Sequence, residues 1–451
     1  MISCDGEAGV SGAGGASGGS LMLVTNSFSG SGTLQANGGD GDTISGGGGG
    51  GRVSITYTTS EFTGKHLAYG GRATNGDGGA GTVYVEGAGK KMLYIDNKTP
   101  SSNIKSKISN MDMTSITGDE SSRTWVPFDT ASITLDELYI LNGAHMALEP
   151  SATTTTHSLT VQNVYGEDFI NNPENKGVIH VGHHQSLAIS QSNLYLPFNA
   201  NVYNEGVLQL PSTVKMYKGD FFFEGILSGV STWDMINSNV ELKGTSKTQN
   251  TLTPASFTIT TLNILAGSTL TMRDNNTNYK LDLNSLFIGA TGTILGRKLE
   301  IEASASFVTE DGANIDLDGQ GSSVSGSVSN TLGTSHGGQG GKGTSDTIND
   351  PTNDDMRNPS MPGTGNTRAA GGGVIKITTA TFTNDGVISA NGQDANTTGY
   401  GGAAGGSIEI SCTSMQNGGR SATHCYEVSS EPMVDSPAVD RLVEEVVVLL
   451  L

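Results

Sequence analysis

The sequence predicts an all-β chain folded as a β-solenoid, in which short strands stack coil upon coil. Three observations favour this fold. A block of about twenty residues occurs twice, glycine-rich runs are each followed by a new alternating strand pattern, and aliphatic residues recur at fixed spacings through the middle of the chain. Units that recur in this way are too small to bury their apolar faces alone, so they stack on their neighbours.

The repeated block spans Gly19–Gly38 in its first copy and Gly373–Gly392 in its second, and the two align without a gap. Both copies close on Ala-Asn-Gly, and three aliphatic positions exchange Leu for Ile. Asn and Gly tolerate the positive backbone φ of a sharp turn, so each block is predicted to end in a corner of the solenoid.

A new strand begins after each glycine-rich run. The starting glycines are Gly19, Gly51 and Gly81 in the first part of the chain and Gly373 and Gly406 in the last. Apolar and polar residues alternate after each of them, which is the period of a strand with one buried face. The polyglycine run 46–51 has no side chains to pack, and we expect it to be an exposed loop.

The middle of the chain, residues 99–296, lacks polyglycine but keeps a regular spacing. An aliphatic residue is followed by others two, eight and usually ten positions later, in segments that begin at Leu138, Ile179, Leu262 and Leu286. Two short strands on either side of a small-residue bend fit this spacing. Thr and Asn dominate between the apolar positions and form helices poorly.

These patterns assign residues 1–411 to one solenoid, with glycine-rich coils at 1–98 and 297–411 and Thr/Asn-rich coils at 99–296. Residues 320–372 are almost free of apolar side chains and are predicted to form a mobile loop. Residues 412–451 fall outside the repeat, and we expect a disordered tail or a short helix there. The chain has three cysteines, an odd number, so the one pairing to consider is Cys412 with Cys425.

The composition excludes some functions. The formal net charge of -20 argues against nucleic acid, because nothing would neutralise phosphates. No run approaches the ~20 apolar residues of a membrane span. Residues 1–5 lack the basic region and apolar core of a signal peptide, and the repeat begins almost at once. We therefore expect the chain to be a fragment of a longer protein.

The blocks FSGSGTLQANG, GGGGGGRVSITY and GGGVIKITTATFTNDGVISANG resemble the glycine-rich parallel β-helix repeats of very large secreted or surface-displayed, adhesin-like proteins of bacteria and some unicellular eukaryotes. The resemblance covers residues 14–97 and 311–411 most closely. It implies a right-handed parallel β-helix, an extracellular or cell-surface location, and a binding or structural role. It brings no catalytic residues with it.

Two segments raise the question of a metal. Residues 37–44 come within one residue of the calcium-binding nonapeptide of β-rolls, but no second aspartate turn follows. His180, His183 and His184 form a cluster, with His145 and His157 predicted in nearby coils, yet no full ligand set is visible. An ordinary Gly/Asp turn and exposed turn histidines are the interpretations we favour, and no metal or cofactor site is assigned.

Other patterns suggest contact with sugars. Asp316 and Asp318 share one strand face, with Arg297 and Lys298 as the nearest basic residues; paired carboxylates serve glycoside-cleaving enzymes, but solvated strand faces also carry Asp. A carbohydrate platform could draw on five aromatic residues, although core packing explains them as well: Trp125, Trp233, Tyr57, Tyr69 and Tyr84. Thr-x-Thr pairs reflect β propensity. Sequons occur at Asn97, Asn275 and Asn396.

The sequence thus predicts a non-enzymatic, extracellular, adhesin-like β-solenoid whose partners are surface carbohydrates or cell-surface proteins. Two alternatives remain open at this stage. One is a carbohydrate-active β-helix enzyme, a polysaccharide lyase or hydrolase. The other is a β-roll stabilised by calcium.

Overall fold

The structure is a computed structural model. It describes residues 1–98, 123–126, 131–148, 157–166, 177–182, 184–191, 194–196, 200–223, 225–242, 259–272, 279–321, 334, 336, 359–366, 368–394, 402–417 and 420–422. These residues form 31 strands and no helix. The predicted all-β class is therefore confirmed. The tail beyond residue 422, Cys425 and most of the predicted mobile loop lie outside the described residues.

The first region contains seven strands. They are β1 (Ile2–Ser3), β2 (Ser20–Gly30), β3 (Thr33–Gln35), β4 (Arg52–Phe62), β5 (Lys65–Leu67), β6 (Thr82–Gly87) and β7 (Lys90–Asp96). Strands β2, β4 and β6 pair in parallel with the register that the glycine-rich restarts predict: Leu21 lies beside Val53, and Val53 beside Val83. Strands β1, β3 and β5 form a small second sheet.

The middle region contains fourteen strands. They are β8 (Arg123–Val126), β9 (Ser132–Leu141), β10 (His145–Leu148), β11 (His157–Tyr165), β12 (Gly177–Val181), β13 (Gln185–Ile189), β14 (Leu194–Leu196), β15 (Ala200–Asn204), β16 (Val207–Gln209), β17 (Thr213–Tyr217), β18 (Asp220–Phe223), β19 (Ile226–Ser228), β20 (Thr232–Ile236) and β21 (Asn239–Leu242). From β14 to β21 the chain visits three sheets in turn, and 19 residues (Thr213 to Thr232) bring it back to the same position on the same sheet.

The last region contains ten strands. They are β22 (Thr261–Leu265), β23 (Thr269–Met272), β24 (Tyr279–Ile288), β25 (Thr293–Gly296), β26 (Lys298–Thr309), β27 (Asn314–Asp316), β28 (Val374–Asn384), β29 (Val387–Ser389), β30 (Ser407–Asn417) and β31 (Arg420–Ala422). Leu262 lies directly beside Leu286, so positions 24 residues apart are partners on adjacent parallel strands, as the spacing indicated. The aliphatic residues of the four predicted segments are all buried.

The strands build three long sheets. Sheet I has nine strands from β2 to β19, sheet II ten strands from β8 to β29, and sheet III nine strands from β14 to β31. Almost every pairing is parallel. The two exceptions are the hairpin β6–β7 and the terminal pair β30–β31.

The β6–β7 hairpin divides the core in two. Its turn residues Ala88 and Gly89 both have positive φ (51° and 79°), as in a type I′ turn, and the strands beyond it run opposite to β2, β4 and β6. Val83 and Val85 belong to a core in the first region, whereas Leu93 belongs to the long core of the remaining chain. Since neighbouring strand residues point to opposite faces, sheet I carries one core on each face here.

The glycine-rich segments are packed rather than looped out, which corrects the expectation for residues 46–51. Gly48 and Gly51 are buried. Backbone hydrogen bonds link successive coils at every third residue: Gly6 and Gly9 donate to Asn37 and Asp40, and Gly47 and Gly50 donate to Gly76 and Gly79. Three residues per turn is the period of a polyproline-II-like strand.

A similar glycine-rich bundle forms near the second repeat block. Gly363 donates to the carbonyl of Gly372, and Gly372 donates to that of Ala404. Thr364 and Asn366 are buried, and the Ser407 hydroxyl donates to the Met361 carbonyl over 2.7 Å. Residues 363–366 are therefore packed, which corrects the expectation of a mobile loop for this short stretch.

Candidate functional site

Three tyrosines form a stacked column on sheet I. Tyr94, Tyr139 and Tyr165 lie side by side on β7, β9 and β11, with ring centroids 4.4 Å and 4.8 Å apart and interplanar angles of 7° and 19°. Their sequence neighbours Leu93 and Ile95 are buried in the long core, so the rings stand on the opposite face of sheet I, where Tyr94 packs against the first-region core. Tyr165, at one end, is 41% exposed.

An ion pair fixes the middle of the column. The Tyr139 hydroxyl donates to Glu137 over 2.8 Å, and the Lys90 ammonium donates to the other oxygen of the same carboxylate over 2.5 Å. These two hydrogen bonds lower the pKa of Glu137, and burial together with the Glu137 contact raises that of Tyr139. Glu137 thus stays ionised and holds the ring in place.

A pocket of about 180 Å³ opens at the Tyr94 end of the column. It lies beside the β6–β7 hairpin, and its lining residues come from both sides of that hairpin: His66, Ala68, Tyr69, Gly81, Val83, Tyr94 and Asp96. Tyr139 covers one face of the Tyr94 ring. On the other side the partner of Tyr94 in the sheet is the much smaller Val83.

The polar groups of the pocket have distinct environments. The Nε2 atom of His66 is buried and has no hydrogen-bond partner, and desolvation lowers the pKa of this ring. Burial, with the nearby charge of Asp96, raises the pKa of Tyr69. Asp96 accepts hydrogen bonds from the Asn142 amide (2.8 Å) and the Lys98 backbone (2.9 Å), both at Oδ1.

The predicted histidine cluster does not form as expected. His145 and His180 lie on β10 and β12 of sheet II, both are under 8% exposed, and their ring centroids are 6.3 Å apart. The His180 ring lies 3.3 Å from Glu205. Only His184 is an exposed turn residue as predicted, with φ of 63°. His157 lies on sheet I, and His183 lies outside the described residues.

Two acidic segments were singled out in the sequence, Asp316/Asp318 and residues 37–44. Their carboxylates accept hydrogen bonds from backbone nitrogens. Asp318 accepts from both the backbone and side-chain nitrogens of Asn391, at 2.6 Å and 3.1 Å, and Asp316 accepts from the Asp318 backbone at 2.8 Å. In the calcium-like segment, Asp42 accepts from Gly12 and Thr43, and these bonds lower its pKa. Along their strand pairings, Asp316 meets Leu295 and Ser389 rather than further acids.

The five predicted aromatic residues do not form one platform. Trp233 is 1% exposed and packs edge-on against Phe221 and Phe223, so the core interpretation is correct for it. Trp125 is half-buried on sheet II, and Tyr69 alone of the set lines the pocket. The sequon residue Asn97 is 5% exposed, and Asn275 and Asn396 lie outside the described residues.

A strip of alternating charges crosses the outer face of sheet III. Lys280, Glu300, Lys376 and Glu409 are consecutive partners on β24, β26, β28 and β30. Lys280 also pairs with Glu302 over 2.8 Å, and that bond raises the pKa of the lysine. The strip is half-exposed, so its ion pairs contribute little to stability.

The tyrosine column was missed at the level of sequence, although a local pattern marks two of its members. Leu93-Tyr94-Ile95 and Leu138-Tyr139-Ile140 repeat the same triplet. An outward tyrosine between two inward aliphatic residues becomes informative only when its strand is known to pair with another of the same kind.

Searches of the part of the chain described here reveal no group of three or more His, Cys, Asp or Glu residues placed to hold a metal ion. Those residues also include no helix of the length and apolarity needed to cross a membrane. The chain matches no family model, no curated protein and no solved structure at a significant level.

Proposed function

We propose that the three sheets close into a right-handed parallel β-helix. The cycle through sheets III, II and I between β14 and β21 supports closure, because each coil returns to its starting sheet after 19 residues. The long core, which draws on strands of all three sheets, also supports it. Parallel strands of one sheet are joined by right-handed crossovers in about 98% of cases.

On this scaffold the chain acts as a non-enzymatic, extracellular, adhesin-like module that presents a binding surface to surface carbohydrates or cell-surface proteins. The observation that carries the proposal is the ring-sized pocket at the Tyr94 end of the tyrosine column, on a stack of parallel strands. With strands about 4.8 Å apart, the ten strands of sheet II extend over roughly 43 Å. A rigid face of this length suits display better than enclosure of a substrate.

An extracellular location is supported by the cysteines. Cys412 is disulfide-bonded and Cys4 is free. Disulfides persist in oxidising compartments and are rare in the cytosol. The pairing of Cys412 with Cys425 stays a prediction, since Cys425 lies outside the described residues.

The test of this function separates binding from turnover. The whole chain is passed over immobilised neutral and acidic polysaccharides, and the same polysaccharides are then incubated with it and assayed for new reducing ends and unsaturated products. We expect retention on a neutral polysaccharide without any product, because an acidic protein repels acidic polymers. Product formation, or retention on none of the polymers or cell surfaces tried, would contradict the proposal.

A carbohydrate-active enzyme is the second candidate, and the strip on sheet III is the observation that favours it. Glu300 and Glu302 place two carboxylates beside the Lys280 ammonium on one exposed face. Glycosidases use carboxylate pairs of this kind. If products appear, Glu302→Gln should abolish them, whereas Glu409→Gln, at the far end of the strip, should not.

The calcium-stabilised roll is tested by a chelator. Since Asp42 and Asp40 accept backbone hydrogen bonds from Gly12, Thr43 and Arg72, the coil is closed without an ion. The melting temperature should be the same with excess EDTA and with millimolar calcium. A rise of several degrees with calcium alone would favour the roll.

A further inference from the structure

The geometry points to a monosaccharide site in the pocket at the end of the tyrosine column, where one neutral pyranose ring stacks on Tyr94. This inference rests on the proposed binding function and names the class of ligand and the residues that hold it. Four residues matter most: Tyr94, His66, Tyr69 and Asp96.

The first step concerns the Tyr94 ring. Tyr139 covers one of its faces at 4.4 Å, in a column that continues to Tyr165. The next position in the sheet is Val83, whose side chain is too small to continue the column, and the pocket fills that space. A pyranose in the pocket would stack its apolar C–H face on Tyr94 and extend the column by one ring.

The second step concerns the shape of the pocket. Small residues, Ala68 and Gly81, form part of its lining, and their backbones are hydrogen-bonded to each other, from the Gly81 nitrogen to the Ala68 carbonyl over 2.7 Å. A side chain on Gly81 is excluded, because its Cβ would overlap the Gly51 carbonyl oxygen. The volume of about 180 Å³ lies below the ~300 Å³ of the smallest drug-sized sites, so it suits a single ring.

The third step concerns the hydrogen-bonding groups. His66 is held by ring stacking on Phe62 at 5.2 Å, and its buried Nε2 has no partner. A buried polar atom without a partner is destabilising, so the wall of the pocket contains a hydrogen-bonding group whose capacity is unused. Asp96 is an acceptor and the Tyr69 hydroxyl both donates and accepts, so the pocket offers the mixed polarity that sugar hydroxyls need.

The charge of the site selects against ions. Asp96 and the net charge of -20 disfavour an anion. A cation would have to share the site with Lys98, whose ammonium lies 5.9 Å from the centre of the Tyr69 ring. A neutral ligand with one apolar face and several hydroxyl groups is repelled neither by Asp96 nor by Lys98.

The experiment titrates the whole chain with methyl glycosides of neutral hexoses, followed by saturation-transfer difference NMR and calorimetry, with choline as the probe for a cation site. We expect at least one glycoside to bind and choline not to bind. Tyr94→Leu should weaken binding at least about tenfold through loss of the ring face, while Tyr94→Phe retains it. Tyr165→Leu, at the other end of the column, is the matched control and should bind as wild type does.

A second variant keeps every polar group and fills the space. Val83→Phe places a ring where the ligand would stack and should abolish glycoside binding. Circular dichroism and the melting temperature check that each variant folds. If Tyr94→Leu folds and binds glycosides as wild type does, or if choline binds instead, the pocket inference is wrong.

The two proposals fail separately. Retention of the chain on a polysaccharide that no methyl glycoside displaces would leave the binding function standing and overturn the pocket. Glycoside binding that depends on Tyr94, without retention on any polymer or cell surface, would support the pocket and overturn the adhesin-like role.

Discussion

The glycine-rich first region and the Thr/Asn-rich middle fill their interiors by different means. Residues 1–87 of the first region have a small side-chain core, but they also contain a bundle of bare backbone: Gly39 donates to Ala16, Gly48 donates to Gly39, and Gly71 donates to Gly48. In the middle, coils are joined through large side chains such as Trp233 and Phe221, each 1% exposed. Both regions stack parallel strands in register.

The difference shows that one strand pattern can be supported by two kinds of interior. In a backbone bundle the strands lie so close together that an added side-chain atom has no room. In a side-chain core, removal of buried atoms leaves a cavity and is the more destabilising change. The first region should therefore be sensitive to insertion of a methyl group and the middle to truncation.

The largest effect is expected from truncation in the middle. Trp233→Ala removes a ring that packs edge-on against Phe221 at 5.6 Å and Phe223 at 6.0 Å. It should lower the free energy of unfolding by about 3–5 kcal/mol, measured by urea denaturation. Met22→Ala, at a side chain that is 77% exposed, is the control and should stay within about 0.5 kcal/mol of wild type.

The counterpart in the first region is a gain of one methyl group. In Gly48→Ala the new Cβ would overlap the backbone carbonyl of Ala16, which cannot move without breaking the bundle. We expect a loss of about 3 kcal/mol, seen as faster hydrogen exchange of the amides in residues 1–87 and not of those in the middle. In Gly32→Ala the new atom meets nothing within 4 Å, so exchange should be unchanged. Equal behaviour of the two variants would contradict the close-packed bundle.

Much of the strand pattern could be predicted from the sequence, because side-chain periodicity reports which face is buried. The register of Leu21 with Val53 and of Leu262 with Leu286 follows directly from the spacings. The backbone bundle could not be predicted in this way. Glycine has no side chain, so a run of glycines shows no hydrophobic pattern. The sequence therefore does not indicate whether residues 46–51 face solvent or a neighbouring segment of the chain.

The candidate site depends on two features that local sequence does not show. The hairpin turn is Ala88-Gly89, which lacks the Asn-Gly or Asp-Gly pair typical of a type I′ turn, so the reversal of strand direction was not predicted. The column requires Tyr94 and Tyr139, 45 positions apart in the sequence, to be partners on adjacent strands. Only long-range register brings them together.

A pH titration tests the middle core further. His145 is 6% exposed, and burial, with the nearby charges of Arg123 and His180, puts its pKa well below 6.5. Below pH 6.5 the unfolded chain binds a proton that the folded chain does not, so stability should fall as the pH falls. The loss approaches about 1.4 kcal/mol for each pH unit at most.

His145→Gln removes this proton and should flatten the pH dependence between 7 and 5 relative to wild type, in urea titrations at each pH. The groups around His145 are retained in the variant: Arg123, His180 and the His180 partner Glu205. An identical slope in the two proteins would mean that His145 takes up its proton as readily in the folded chain as in the unfolded chain.

The smallest effect concerns side-chain hydrogen bonds between glycine-rich segments, at Asn-Gly pairs whose backbone φ is not positive, contrary to the sharp turn predicted there. The Asn37 side chain accepts a hydrogen bond from the Tyr69 backbone in the next coil over 2.9 Å, and Asp318 plays the same part for Asn391 near the second repeat block. Asn37→Ala and Asp318→Ala should each lower stability by about 1 kcal/mol, because each leaves a backbone donor without its acceptor. Asn37→Asp keeps an acceptor and should lose less. If both alanine variants are as stable as wild type, backbone hydrogen bonds alone link these segments.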